Sequence, residues 1–494
     1  MRHRALAANG GVDMQYQSTR GNASNLDFRG VTLAGLASDG GLYVPQVWPR
    51  FTADEIAAMR GLPYVDLAAK VMAPFTAGSL TEAELRDLCA AAYGSFSHDA
   101  VTPLVQLNEQ HWLLELFHGP TLAFKDVALQ LLGQFFERFL SGTDTKLTIV
   151  GATSGDTGSA AIDAVAGRAQ IEIFMLHPHN RVSDVQRRQM TTPAEANVHA
   201  LAMDGDFDDC QGKLKDMFNH FEFRDAVGLA GVNSINWARV LAQVVYYFTA
   251  AVTLGAPDRK ISFTVPTGNF GDIFAGYIAK SMGLPIEKLV VATNQNDILH
   301  RCLSTGRYEM DGVKPSISPS MDIQISSNFE RLLYEAYGRD ASAIRTAMEG
   351  QDFVEVETLP GRWPHAQDLV GADAEMPVGQ PAVLRVGQTQ ASARLVEHDE
   401  IVARALHFGE PDVHGRIIRP ERCAPAGRIA AAWCASHRCT RTAKALRPTP
   451  RPLCAQSLCC FVCNPVHIAY KTAGTVDALR QTWITTRPSP PPSN

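Results

Sequence analysis

The 494-residue sequence lacks the marks of several common protein classes. It has no basic excess, since 45 Lys and Arg stand against 51 Asp and Glu for a formal charge of -6. Without surplus cations to replace the counterions of a phosphodiester backbone, nucleic acid is excluded as the expected partner. No apolar run reaches the ~20 residues that a bilayer crossing requires. The longest begins at Val240, is interrupted by Gln243, Thr249 and Thr253, and reads as a helix inside a globular core. The opening MRHRALAANGGVD carries positive groups but no long apolar stretch, so no secretory leader is expected. Cysteine is scarce through the first 420 residues, where only Cys89, Cys210 and Cys302 occur. Scattered in this way they are expected to be reduced and structural, which fits a cytoplasmic location.

What is present divides into regions of different texture. Residues 1–13 read as an extension ahead of Met14, and 14–100 as a mixed, partly helical N-terminal domain. Within it, TADEIAAMRGL and LTEAELRDLCAAAYG each place Thr ahead of acidic residues, which is helix-capping chemistry. Residues 101–350 alternate between strand and helix patterns. KLTIVGAT, IEIFMLHP, NVHALAM, KISFTVPT and KLVVAT read as strands; SAAIDAVAG, FDDCQGKLKDMFNHF, NWARVLAQVVYYFTAAV and IFAGYIAKSMG read as helices. This order predicts an α/β fold of mainly parallel sheets wrapped by helices, with ligands beyond the carboxyl ends of the strands. Residues 351–494 are rich in Arg, Pro, Cys and Ala with weak periodicity, and their ending RPSPPPSN cannot build a packed core.

Two loops share one design: Ala152-Thr153-Ser154-Gly155-Asp156-Thr157-Gly158 and Thr267-Gly268-Asn269-Phe270-Gly271. Each follows an apolar strand and opens a helix. Glycine lets the backbone turn tightly and bring its N–H groups to an oxyanion, and the helix start adds about half a positive charge. Neither loop matches the Walker or the G-x-G-x-x-G pattern, so nucleotide and nicotinamide binding are not supported. Taken singly, each loop reads first as a plain strand-to-helix turn with a glycine and a cap.

Lys125 lies in the run ELFHGPTLAFKD, where Gly119-Pro120-Thr121 signals a turn and the start of a helix with apolar positions from Val127 to Leu140. A helix N-terminus and the apolar neighbours Leu122 and Phe124 would lower the lysine pKa and free its amine for covalent chemistry with a carbonyl. Spacing alone reads this lysine as an ordinary surface residue.

GPTLAFKD, VGATSGDTGSAA, VNSINWARVLAQ and VPTGNFGDIFAGY, in that order, resemble the threonine synthase family, and MQYQSTRG and SPSMDIQISSNFERLL resemble its flanking segments. The resemblance spans residues 14 to about 345 and is closest to the fungal and proteobacterial branch. It implies a fold-type II enzyme dependent on pyridoxal 5'-phosphate, a lyase converting O-phospho-L-homoserine and water to L-threonine and phosphate. By the same resemblance 101–350 is the cofactor-binding core and Lys125 the Schiff-base lysine. Thr267, Gly268, Asn269, Phe270 and Gly271 match the loop for the cofactor phosphate. Thr153, Ser154, Gly155, Asp156 and Thr157 match the loop facing substrate and cofactor ring, with Asp156 on the cofactor. Asn233, Ser234, Asn236 and Arg239 match a polar segment near the active site. Guanidinium suits bidentate phosphate recognition, so Arg239 is a candidate for the substrate phosphate and equally an ordinary helix-start arginine. A monomer or homodimer, with no metal, is expected.

The family's late segments, one supplying a threonine to the pyridine nitrogen, have no counterpart after 345; Thr472-Ala473 is a faint candidate. The Arg, Pro and Cys excess there suggests out-of-frame translation of a GC-rich gene. Cys460, Cys463 and His467, with Cys454 or Cys459, lack the two regular ligand pairs of a structural zinc site. His177 and His179 read as loop residues. Competing readings are a catalytically impaired relative that binds pyridoxal phosphate or phosphorylated metabolites, and a related lyase such as a threonine dehydratase or a cysteine synthase. GPTLAFKD and NSINWAR speak against the related lyases.

Overall fold

The structure is a computed structural model that describes residues 13–316 and 318–349 and the strand segments Val354–Glu355, Leu369–Glu375, Val383–Val386 and Gln481–Thr486. The expected 1–13 extension (but for Asp13), the cysteine cluster and Thr472-Ala473 lie outside the described residues.

The chain opens with β1 (Tyr16–Ser18), α1 (Phe28–Ala34) and β2 (Tyr43–Pro45), the two strands pairing antiparallel. Helices α2 (Ala53–Ala57), α3 (Tyr64–Thr76) and α4 (Glu82–Tyr93) follow. The capping chemistry read from sequence is present at two of them. Thr52 and Glu55 at α2, and Thr81 and Glu84 at α4, form reciprocal boxes in which the Thr hydroxyl accepts from the Glu N–H and the Glu carboxylate accepts from the Thr N–H. Satisfying orphan donors in this way contributes about 1 kcal/mol per helix.

Strands β3 (Leu104–Gln106) and β4 (His111–Glu115) lead to α5 (Asp126–Leu140), then β5 (Leu147–Ala152), α6 (Asp156–Val165), β6 (Ile171–Pro178), α7 (Asp184–Thr191) and β7 (Val198–Met203). Helices α8 (Phe207–Asn219) and α9 (Phe221–Val227) and strand β8 (Leu229–Ala230) precede the long α10 (Trp237–Thr253). Next come β9 (Ile261–Pro266), α11 (Gly271–Ser281), β10 (Ile286–Thr293), α12 (Ile298–Thr305), β11 (Arg307–Tyr308), α13 (Phe329–Ala336), α14 (Ala341–Glu349) and β12 (Val354–Glu355), followed by β13 (Leu369–Glu375), β14 (Val383–Val386) and β15 (Gln481–Thr486).

Two sheets carry the architecture. One, in the order β7-β6-β5-β8, is parallel throughout. All six residues of β5 are buried, which is why LTIVGA reads as a continuous apolar run and not as an alternating one. The other sheet, in the order β14-β13-β10-β9-β15-β4-β3, is mixed. Its β13-β10-β9 centre is parallel and its remaining pairings are antiparallel. The expectation of mainly parallel sheets therefore holds, with antiparallel pairings added on either side of the parallel centre of the mixed sheet.

Helix α10 packs against both α5 and α11. Every residue from Trp237 to Phe248 is buried, so this helix, apolar but for Arg239, Gln243 and the hydroxyls of Tyr246 and Tyr247, is surrounded, as the Val240 run implied. None of the described helices is long and apolar enough to cross a membrane. Cys89, Cys210 and Cys302 are buried thiols, with burial pushing Cys89 and Cys302 up to about 12 and Cys210 up to about 11, which keeps them in the unreactive thiol form. His177 lies within β6, one residue before its end at Pro178, and is not a loop residue, whereas His179 sits just beyond the strand, 3.6 Å from Asp204.

Candidate active site

Lys125 occupies the position immediately before α5, where a turn presents it. Gly119 cannot carry a Cβ, because that atom would overlap the Asp126 side chain. Asp126 in turn accepts from the Thr121 N–H (2.8 Å) and the Thr121 hydroxyl (2.6 Å), closing the turn on itself. Asp126 is fully buried, and burial pushes its carboxyl up to about 7 despite these two bonds. The Lys125 side chain is 12% exposed, and its Nζ lies 2.6 Å from Asp156 Oδ2 and 5.7 Å from the centre of the Phe124 ring. Two corrections to the sequence reading follow. Leu122 is not a shielding neighbour: it is 55% exposed, in the left-handed region at φ 64. A carboxylate, which the apolar description of the surroundings left out, sits against the amine.

Asp156 comes from the first glycine loop, which is braced from within. The Thr153 hydroxyl is 1% exposed and accepts from the N–H groups of Gly155 and Gly158, each at 2.9 Å. Gly155 adopts φ 139, a conformation L side chains rarely take, and a Cβ there would overlap Gln186. A Cβ on Gly158 would lie 2.5 Å from both Met190 Sδ and Thr153 Cγ2. The other oxygen of Asp156 accepts from the Thr157 N–H at 2.9 Å, which leaves its partner aimed at Lys125. Ser154 and Thr157 remain partly exposed.

The polar segment before α10 divides into two kinds of residue. Asn236 is fully buried and structural: its Oδ1 accepts from the Ala238 N–H, capping α10, and its Nδ2 donates to the Thr32 carbonyl at 2.9 Å. Arg239 is buried, donates through Nη1 to the Val232 carbonyl at 2.8 Å, and keeps a buried Nε without a hydrogen-bond partner among the described residues. Burial brings Arg239 down to about 10, while the nearby Asp156 charge opposes that fall. Asp156 thus pairs with Lys125 at 2.6 Å, and its charge also acts on the buried Arg239. Asn233 and Ser234 are half-buried alongside.

The second glycine loop starts α11. Thr267 donates its hydroxyl to the Val265 carbonyl at 2.7 Å, Asn269 is exposed, and Phe270 is buried in the left-handed region at φ 65, its ring edge-on to Phe329. The braces of this loop come from a distant segment whose roles the sequence left unread. Ser326 Oγ donates to the Gly268 carbonyl at 2.7 Å, and Asn328 Nδ2 donates to the carbonyls of Asn269 (3.0 Å) and Ser234 (3.1 Å). Hydrogen bonds therefore join the sequence sites in two pairs: Lys125 to Asp156, and the 233–239 segment through Asn328 to the 267–271 loop. The only signal for the braces was the family-like string SPSMDIQISSNFERLL, and nothing in its spacing marks them.

A family model described as the threonine synthase N terminus matches residues 15–93, and one described as pyridoxal-phosphate dependent enzyme matches 96–350. The threonine synthase of Pseudomonas aeruginosa is 56% identical over 359 residues, covering 72% of this chain and 76% of that protein. That of Schizosaccharomyces pombe is 42% identical over 429 residues, covering 82% of this chain and 81% of its own. Among solved structures, the pyridoxal-phosphate-bound threonine synthase from Brucella melitensis superposes with a TM-score of 0.69 at 56% identity, covering 73% of this chain and 78% of that one.

Proposed function

The chain belongs to the threonine synthase family of pyridoxal-phosphate-dependent enzymes, and from that premise we propose how its residues divide the work. Its function is that of a pyridoxal-phosphate-dependent threonine synthase, a lyase of fold type II. The reaction converts O-phospho-L-homoserine and water to L-threonine and phosphate. Its balance requires phosphate to leave Cγ, which gains a proton and becomes a methyl, Cβ to lose a proton and take hydroxide from water, and the proton removed from Cα to be restored.

The residues present fit the cofactor. A partly shielded amine at a helix start is available for a covalent link to its aldehyde, and the glycine loop ahead of α11 offers backbone N–H groups and a helix N-terminus to its phosphate. When bound, pyridoxal phosphate supplies an electron sink that stabilises the charge left as Cα loses its proton. Lys125 holds the cofactor, then takes the Cα proton and returns protons along the substrate chain. Asp156 holds the amine in place through its 2.6 Å contact. The N–H groups of Gly268 to Gly271 hold the cofactor phosphate, with Thr267 fixing the strand end from which they project. Arg239, whose Nε has no partner among the described residues, holds the substrate phosphate beside Asn233 and Ser234. Ser154 and Thr157 face the substrate amino acid, while Thr153 and Gly155 shape the loop that carries them.

The observation that carries this reading is the Lys125–Asp156 contact, which joins the family's lysine motif to its first glycine loop. The test is phosphate release from O-phospho-L-homoserine by the full chain with pyridoxal phosphate. Lys125→Ala should lower turnover by about a thousandfold or more while leaving the circular dichroism unchanged. Wild-type protein that binds the cofactor but releases no phosphate would favour the impaired, binding-only relative.

A further inference from the structure

Asn328 stands at the start of α13, where an asparagine normally turns its side chain onto the helix's own free N–H groups. It makes no such cap. Its carboxamide is fully buried and fully used elsewhere: two donors reach Asn269 and Ser234, and the oxygen accepts from Arg331 Nη1. Guanidinium donates and never accepts, so Arg331 fixes which end of the amide faces which way. Arg331 is itself anchored by Nε to the Tyr43 carbonyl (3.0 Å) and by Nη2 to the Ile235 carbonyl (2.6 Å), with its guanidinium 5.7 Å from the Trp237 ring centre. Its side chain is fully buried, and burial brings its pKa down to about 9. Such desolvation is costly and is offset only while those carbonyls remain in place.

The consequence follows from peptide geometry. In a trans peptide the C=O and the next N–H point in opposite directions. Ser326 holding the Gly268 carbonyl turns the Asn269 N–H away from the brace, and Asn328 holding the Asn269 carbonyl does the same for the Phe270 N–H. Asn328 holding the Ser234 carbonyl turns the Ile235 N–H likewise. The backbone N–H of Asn328 adds a second bond to the Asn269 carbonyl at 3.1 Å, next to the strained Phe270.

We propose that Asn328, locked by Arg331, is a positioning residue that orients the amides of the cofactor-phosphate loop and ties that loop to the 233–239 segment on the substrate side. This rests on the reading of 267–271 as the phosphate loop. Asn328 acts through the planes of two peptides on separate elements.

The experiment compares the affinities of pyridoxal phosphate and of pyridoxal, which lacks the phosphate, by titrating the visible absorbance of the bound form. Asn328→Asp preserves shape and the acceptor for Arg331 but cannot donate to two carbonyls. It should weaken pyridoxal phosphate by about 30-fold and pyridoxal by less than about threefold, the loss expected for two donated bonds. Ser326→Ala should give the same selective loss at about fivefold, and serves if the first variant does not fold. It should also leave the pyridoxal affinity in place. Equal weakening of both ligands, or no weakening of either, would overturn the assignment. If the unaltered protein shows no preference for pyridoxal phosphate over pyridoxal, the phosphate-loop reading itself fails. If it shows the preference and the variants keep it, only the role of Asn328 fails.

Discussion

The two glycine loops look alike in sequence and are held in opposite ways. The 152–158 loop is braced by its own residues: Thr153 takes the N–H groups of Gly155 and Gly158, and a glycine occupies the one position at φ 139. The 267–271 loop places Phe270 in the left-handed region and is held by Ser326 and Asn328, more than 50 residues later in the chain. The first loop is a local solution, and it aims the Asp156 side chain at Lys125. The second is a tertiary solution, and its job is to aim backbone N–H groups. A side chain can be aimed by local geometry, whereas a row of amides needs its carbonyls pinned from behind.

The largest effect is expected where the local solution has no alternative. Gly155→Ala forces an L side chain into φ 139 against Gln186, so the loop must move and carry Asp156 off Lys125. Turnover should fall by about a hundredfold or more, since an ångström of misplacement is enough. Near-normal turnover in this variant would break the claim that the loop exists to place Asp156.

Next comes Thr153→Ala, which leaves two buried N–H groups without an acceptor and should cost roughly 2–4 kcal/mol in equilibrium unfolding. Thr153→Ser keeps the oxygen and should recover most of that loss. If serine fails to rescue, the loop is not braced by that hydroxyl and its likeness to an internally held turn is lost.

Asp126 gives a smaller, pH-dependent effect. Its folded-state pKa, pushed up to about 7 from 3.8, lies above the unfolded value, so the folded form binds the proton more tightly. The stability it contributes is fully present below pH 3.8 and is lost as pH rises through about 7. Asp126→Asn should therefore flatten the decline in thermal stability between about pH 4 and 7, a few kcal/mol at most. A variant with the wild-type pH profile would assign that decline to other groups.

The same contrast explains what was legible in the sequence. The strands and helices of 101–345 could be read because apolar periodicity, Thr caps and glycine positions are local signals. Thr52 and Thr81 announce their helices, and Gly155 and Gly158 announce a turn. The family motifs located Lys125 and both loops, and through them the cofactor and reaction. The Asp156 contact with Lys125, the Asn328 and Arg331 braces, and the structural role of Asn236 were not legible, because each joins residues far apart in the chain that only the tertiary packing brings together. The antiparallel pairings of β3, β4 and β15 in the large sheet were not legible, because strand–helix alternation does not encode them.

The central claim is that one amine, that of Lys125, makes the covalent link to the cofactor. Incubating the full chain with pyridoxal phosphate, reducing with borohydride and mapping the peptides by mass spectrometry tests it directly. The account predicts a single adduct on Lys125, absent from Lys125→Ala. An adduct on another lysine, or none in folded protein saturated with cofactor, would contradict it.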